Sequence, residues 1–323
     1  MLDKYGRNIE YMRISITDRC NFRCRYCMPK EGVVSKKHDE ILSFEEFERV
    51  VKNSVKLGID RIRITGGEPL VRKGVEEFIH SLKQIPGLKD VSMTTNGSLL
   101  AQKAEKLARA GLDRVNISLD SLNPSKFKYI TRLGRLQDVI EGIHAALKAG
   151  LDPVKINCVV TGGFNDDEIE DFVNLTIDLP LHVRFIELMP LSNDLSDIKG
   201  YVSNNSIKKS IKEKLLPAGD VRGSGPANYY KVEGAKGSIG FISPMSEHFC
   251  YKCNRIRLTA DGKLKPCLES DIEFDVKELL RSGASDKEIQ KAIIRAIEAK
   301  PAEHHMIWGI NKKHKRGMSQ IGG

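Results

Sequence analysis

No apolar run in the 323 residues approaches the length needed to cross a bilayer, which argues against a membrane-embedded chain. The first ten residues, Met1 to Glu10, are polar and charged and carry no signal-peptide apolar segment, so a cytoplasmic protein is expected. Internal repeats and low-complexity tracts are also missing, which sets aside solenoids and disordered arrays. Disulfides are disfavoured as well. There are seven cysteines, but six fall into two groups of three, and in a large intracellular chain such clusters serve as metal ligands or catalytic groups. What remains is a soluble globular chain, 40% hydrophobic and 29% charged, long enough for one large barrel with an appendage or two ordinary domains. The net charge of +9 favours anionic partners without separating a nucleotide from a nucleic acid. A basic surface without a function accounts for it equally well, and part of the excess lies in the run from Lys312 to Arg316, which reads as a solvated tail.

From the start to residue 190 short strand-like runs alternate with amphipathic segments. Strands are expected near 11–17, 61–65, 90–95, 114–119, 153–160 and 182–188. Ser43 and Glu46 form a capping box that opens a helix through Phe47, Val50, Val51 and Val55, closed by Gly58. A second helix runs from Leu136 to Gly150. Strands joined by helices imply a parallel sheet. These strands alternate, however, where buried parallel strands read as continuous apolar runs. Arg13, Ser15 and Thr17, then Arg61, Arg63 and Thr65, then Asn116, Ser118 and Asp120, and finally Lys155 and Asn157 all oppose apolar neighbours. With the apolar members against the helices, the polar members face one another across a lumen. The expected fold is α/β: a partial (β/α)6 barrel over 1–190 with its mouth at the strands' C-terminal ends. Residues 191–323 form a C-terminal extension with helices near 206–215, 272–282 and 286–299 and strands near 229–232, 237–242 and 255–259.

Cys20, Cys24 and Cys27, spaced C-x3-C-x2-C, follow the first strand directly. Three thiolates hold three corners of a [4Fe–4S] cube and leave one iron open to a substrate. Structural zinc takes four ligands, and only the loop residue His38 offers itself as a fourth. Gly66-Gly67-Glu68-Pro69 ends the second strand; paired glycines permit close backbone approach, and Glu68 can accept from an ammonium group. Cys250, Cys253 and Cys267 again give three thiolates. Taken alone they leave zinc, with His248, and an iron–sulfur cluster, borrowing Cys158, both open. Cys158 itself reads as a buried small hydrophobe. Arg255 and Arg257 stand two apart on a strand, so both guanidinium groups point one way and suit a triphosphate or a guanine edge. This pair tips the second group towards an open cluster. Gly322-Gly323 reads as a floppy tail by default, or as a segment narrow enough to thread a channel.

The three-cysteine spacing and GGEP resemble the radical S-adenosylmethionine superfamily. With TTNG at 94–97, NISLDSL at 116–122, RFIELMPL at 184–191, FCxxCNRIR at 249–257 and PCL at 266–268, the whole chain resembles the GTP 3′,8-cyclase family of molybdenum cofactor biosynthesis. The resemblance implies two [4Fe–4S] clusters, on Cys20, Cys24 and Cys27 and on Cys250, Cys253 and Cys267. S-adenosylmethionine would meet Tyr26, Gly66, Gly67, Glu68, Ser118 and Met189. GTP would meet Arg13, Arg63, Thr94, Lys155, Arg255 and Arg257, and Gly322 and Gly323 would enter the site alongside these arginines to promote catalysis. A 5′-deoxyadenosyl radical would remove H3′ of GTP and the product would be 3′,8-cyclo-7,8-dihydro-GTP. The resemblance also implies an electron donor such as flavodoxin or ferredoxin, a downstream cyclic pyranopterin monophosphate synthase and a homodimer, with neither membrane nor nucleic acid as partner. The rivals are another two-cluster radical enzyme, such as a peptide-modifying maturase, and a zinc-containing nucleic-acid binder.

Overall fold

The alternating run after residue 10 forms β1 (Tyr11–Ser15), and the capping box opens α1 (Phe44–Lys56). Ser43 Oγ accepts from the Glu46 N–H at 3.2 Å and the Glu46 carboxylate accepts from the Ser43 N–H at 2.7 Å, so two otherwise orphaned donors are satisfied together. Gly58 follows at φ +87°, a conformation that favours glycine. The computed structural model describes residues 1–34, 36–191, 200–223, 225–309 and 315–322. The stretch 192–199, Lys312 to His314 in the basic run and Gly323 therefore lie outside the described residues.

The barrel continues with β2 (Arg61–Thr65), α2 (Val75–Lys83), β3 (Asp90–Thr95), α3 (Leu100–Arg109) and β4 (Arg114–Ser118). Two helices, α4 (Pro124–Thr131) and α5 (Leu136–Lys148), then lead to β5 (Val154–Val160), α6 (Ile169–Asp178) and β6 (Leu181–Glu187). Strands β1 to β6 pair in sequence order, all parallel. Their apolar members, among them Met12, Ile14, Ile62, Ile64, Val115 and Ile117, are fully buried in the core cluster shared with the helices.

The C-terminal half does more than pack on this sheet. It comprises α7 (Asn204–Ser210), β7 (Leu216–Pro217), β8 (Asn228–Lys231), β9 (Ser238–Ile242), β10 (Arg255–Leu258), β11 (Lys263–Lys265), β12 (Phe274–Asp275), α8 (Lys277–Arg281) and α9 (Asp286–Glu298). Strand β10 joins β1 and β9 joins β6, both parallel, so the wall has eight parallel strands where six were expected. Antiparallel β11 and β12 extend one edge, and β8 and β7 the other. Two expected helices are shorter than their periodicity suggested. The one near 206–215 ends at Ser210, where Ile211 turns extended. The one near 272–282 shrinks to α8 because Phe274 and Asp275 are taken into a ladder with β11. Pairing in the tertiary structure overrides local preference at both places.

Candidate active site

Parallel pairing puts side chains in register on one face, so residues two apart on neighbouring strands stack into rows across the wall. Arg13 is opposite Arg63 on one side and Arg257 on the other, and Tyr11 is opposite Arg255. Asn157 is opposite Arg184 on β6. These residues line a cavity of about 320 Å³ whose wall draws on all eight parallel strands. Burial and the neighbouring Arg257 push the Arg13 guanidinium well down, and burial brings Arg63 and Arg257 each to about 10. Among the described residues, the buried Arg13 Nε and Arg184 Nε donors and the Asn157 Oδ1 acceptor have no hydrogen-bond partner. Buried polar atoms are normally paired, so unpartnered donors beside clustered cations describe a cavity built for an anionic ligand.

Cys20, Cys24 and Cys27 border this cavity in the loop that leaves β1. The loop is fixed from both sides. The Cys27 and Met28 N–H groups donate to the Cys24 carbonyl, and the Arg23 and Arg25 N–H groups donate to Thr131 and Ile130 at the end of α4. Arg132, at φ +61°, clamps the Arg23 and Met28 carbonyls through one guanidinium nitrogen. Burial, reinforced by the other thiols, drives Cys24 well up and Cys27 to about 12; burial drives Cys20 to about 11. Such thiols become thiolates only against a bound cation or cluster. Among the described residues no three His, Cys, Asp or Glu side chains close on a single-ion position. The donor set, three thiols open to a cavity, fits a [4Fe–4S] cube with one iron free. His38 stands in an exposed turn outside the cavity.

Tyr26, Gly66, Gly67, Ser118 and Met189 also lie on the wall. The Tyr26 hydroxyl donates to Asp120 Oδ2 at 2.7 Å, and Asp120, raised by burial to about 6, also accepts from the Val159 N–H. A Cβ on Gly67 would sit 2.4 Å from the Arg19 carbonyl oxygen, so this glycine lets the second strand's turn press against the segment entering the cysteine loop. Glu68 is placed differently from the expectation. It is fully buried, off the cavity wall, and accepts from the Leu70 N–H, the Thr95 hydroxyl and the Asn96 N–H at 2.6–3.1 Å. Its oxygens are committed to shaping the TTNG turn, which carries Thr94, Thr95 and Asn96 to the wall.

Burial raises Glu68 to about 7 despite those donors. The unfolded carboxyl titrates near 4.5, so between about pH 4.5 and 7 the folded state binds the extra proton and stability falls as pH rises. Apo-protein should therefore lose on the order of 3 kcal/mol relative to Glu68→Gln across that window, read from denaturant midpoints. A gap between the two proteins that does not change with pH would contradict this.

Cys250, Cys253 and Cys267 border the same cavity, with Arg255 and Arg257. Burial alone would raise Cys253, but Arg255 and Lys300 outweigh it and bring the thiol to about 6. Arg257 reaches the tail: one guanidinium nitrogen donates to the Ile321 and Gly322 carbonyls, both at 3.1 Å. Gly322 is packed against Thr65 and Ser15, inside the barrel.

The structure does not bring every expected residue to the wall. The Lys155 ammonium lies off the lining and donates to the Arg222 carbonyl at 2.6 Å. Burial, then Arg184, Arg114 and Arg63, push it down to about 6. His248 is exposed and off the lining, with its ring 4.4 Å from that of His304. Cys158 is buried in β5. Conversely, Arg184, Lys300 and His304 line the cavity without having been singled out. Arg184 was within reach of the alternation argument, since it shares the inward phase of β6. Lys300 and His304 follow the last helix in an irregular segment that carries no periodic signal.

Two family models divide the chain between them: the radical SAM superfamily matches residues 14–176, and Molybdenum Cofactor Synthesis C matches 181–306. The GTP 3′,8-cyclase of Heliobacterium modesticaldum is 53% identical over 330 residues, and that of Syntrophomonas wolfei 54% over 333 residues, each alignment covering all of both chains. Among solved structures, Streptococcus suis SuiB bound to S-adenosylmethionine superposes with a TM-score of 0.61 at 15% identity, over 90% of this chain and 68% of that one. That likeness speaks for the fold alone. The cavity bordered by thiols and buried arginines, the paired family models and full-length identity above one half place the chain in the GTP 3′,8-cyclase family of radical S-adenosylmethionine enzymes.

Proposed function

We propose that the chain cyclises GTP to 3′,8-cyclo-7,8-dihydro-GTP, an early step towards molybdopterin, using two [4Fe–4S] clusters. The observation that carries this reading is one cavity bordered by both cysteine triads and by buried arginines, some with donors unpaired among the described residues. When bound, the first cluster and S-adenosylmethionine supply the radical that removes hydrogen from C3′ of GTP. Cys20, Cys24 and Cys27 hold the first cluster, and Tyr26, Gly66, Gly67, Ser118 and Met189 form the wall for the cofactor. Cys250, Cys253 and Cys267 would hold the second cluster, which would supply an iron site for the nucleotide. Arg13, Arg63, Arg255 and Arg257 neutralise the triphosphate in a site where low dielectric strengthens each charge interaction. Thr94 orients the same ligand, and Lys155 acts from just beyond the wall. Ile321 and Gly322 hold Arg257 through their backbone carbonyls, and the Gly322-Gly323 end promotes productive turnover. Residues 1–190 supply the radical half of the work and 191–323 the substrate half, although one sheet runs through both. The proposal includes a one-electron donor such as flavodoxin or ferredoxin, a cytoplasmic homodimer, and delivery of product to cyclic pyranopterin monophosphate synthase.

The test is anaerobic reconstitution with iron and sulfide, followed by S-adenosylmethionine, dithionite and GTP. About eight irons per chain and 5′-deoxyadenosine formed in step with a cyclised guanine nucleotide are expected. Nucleoside formation indifferent to GTP would sink the reading.

A further inference from the structure

We infer that Lys300 is a positioning residue for the second cluster, joining the two separate pieces of chain that supply its cysteines. The inference rests on the proposed second cluster. Cys250 and Cys253 flank a short turn before β10, whereas Cys267 follows β11. Lys300 comes from elsewhere, just past the C-terminal end of α9, and is only 2% exposed. Its ammonium donates to the Arg255 carbonyl at 2.7 Å and the Pro266 carbonyl at 2.9 Å, and lies 3.8 Å from Cys253 Sγ. Arg255 is two residues after Cys253, and Pro266 immediately precedes Cys267. Three ammonium protons are thus matched by three acceptors drawn from both pieces.

Arg7 extends the same frame to Cys250. Its guanidinium donates to the Cys250, Ala302 and Pro301 carbonyls at 2.7–2.9 Å. Residues 300–302 therefore sit at the junction of both cysteine-bearing pieces. The charge pattern agrees with this placement. Among the described residues the hydrogen-bond acceptors of Lys300 are two neutral carbonyls and a thiol, with no carboxylate. Cluster-bound thiolates beside this side chain would supply compensating negative charge.

The experiment compares reconstituted full-length wild type, K300M and K300R by iron content, by electron paramagnetic resonance with and without GTP, and by thermal melting. Wild type should hold about eight irons and K300M about four, with the first cluster's signal intact and the GTP-responsive signal lost. K300M with wild-type iron and spectrum would overturn the inference. Should K300M fail to fold, K300R decides the matter, because it keeps the charge but changes the reach. An altered GTP-responsive spectrum supports the positioning role, and an unaltered one overturns it. Wild type with only about four irons would overturn the second cluster itself, which is a separate and recognisable failure.

Discussion

Replacing Cys24 with alanine should cut GTP turnover by at least ~10³-fold and lower iron from about eight to about four per chain. The size of the effect follows from the environment of the triad. All three thiols are pushed up by burial, and Cys24 and Cys27 further by neighbouring thiols, so each becomes a thiolate only as part of a metal-bound set. Removing one leaves two donors in a loop whose backbone is pinned to the end of α4. Cys158→Ala is the control. That thiol is 1% exposed in β5 and packs in the core, so its loss should cost about 1 kcal/mol of stability and leave iron content unchanged. Anaerobic iron analysis and product detection by mass spectrometry read both variants. A Cys24→Ala protein that still produces cyclised nucleotide at a tenth of the normal rate would remove the triad from the mechanism.

Gly322→Ala should lower formation of cyclised product by ~10- to 100-fold while leaving iron content and GTP-independent cleavage of S-adenosylmethionine near normal. A Cβ at this position would lie 2.6 Å from Thr65 Cγ2 and 3.3 Å from Ser15 Cβ, and the backbone is at φ +73°. Left-handed backbone alone costs about 1–2 kcal/mol for a non-glycine residue. The collision adds to this, so the tail must back out of the barrel. Arg257 would then lose the Ile321 and Gly322 carbonyls as acceptors and no longer be held in place. Gly283→Ala separates strain from collision. Its φ is +78°, but an added Cβ would meet nothing within 4 Å. That variant should lose about 1 kcal/mol of stability with wild-type product formation. Equal activities for the two glycine variants would show that the tail's position does not matter to cyclisation.

Much of this was legible in the residue order, for identifiable reasons. Alternation in β1, β2, β4 and β5 is a local property of strands with one apolar face, and it marked Arg13, Arg63, Ser118 and Asn157 as inward before any pairing was known. The cysteine spacings belong to single loops and are read directly. Glu68 shows where such reading fails. Its motif suggested a ligand contact, but its oxygens are taken by Leu70, Thr95 and Asn96, the last two nearly thirty residues away. Lys155 shares the inward phase of β5 yet stops short of the cavity wall, because phase gives direction and not depth. The helix expected near 272–282 starts late, at Lys277, for a related reason, since its first residues are claimed by a strand pairing that no local pattern announces.

By itself, the sequence determined that six strands would be parallel, that their polar faces would meet, and that two cysteine triads would be available for metal. Those features depend on spacing and periodicity, which are properties of short stretches of chain. Only the tertiary structure decided that the two triads share one cavity. That outcome requires β10 to pair with β1 and β9 with β6, closing contacts between residues more than fifty positions apart. It also decided that Lys300 and Arg7, from opposite ends of the chain, frame the second triad, because only the completed sheet brings their acceptors within hydrogen-bonding reach.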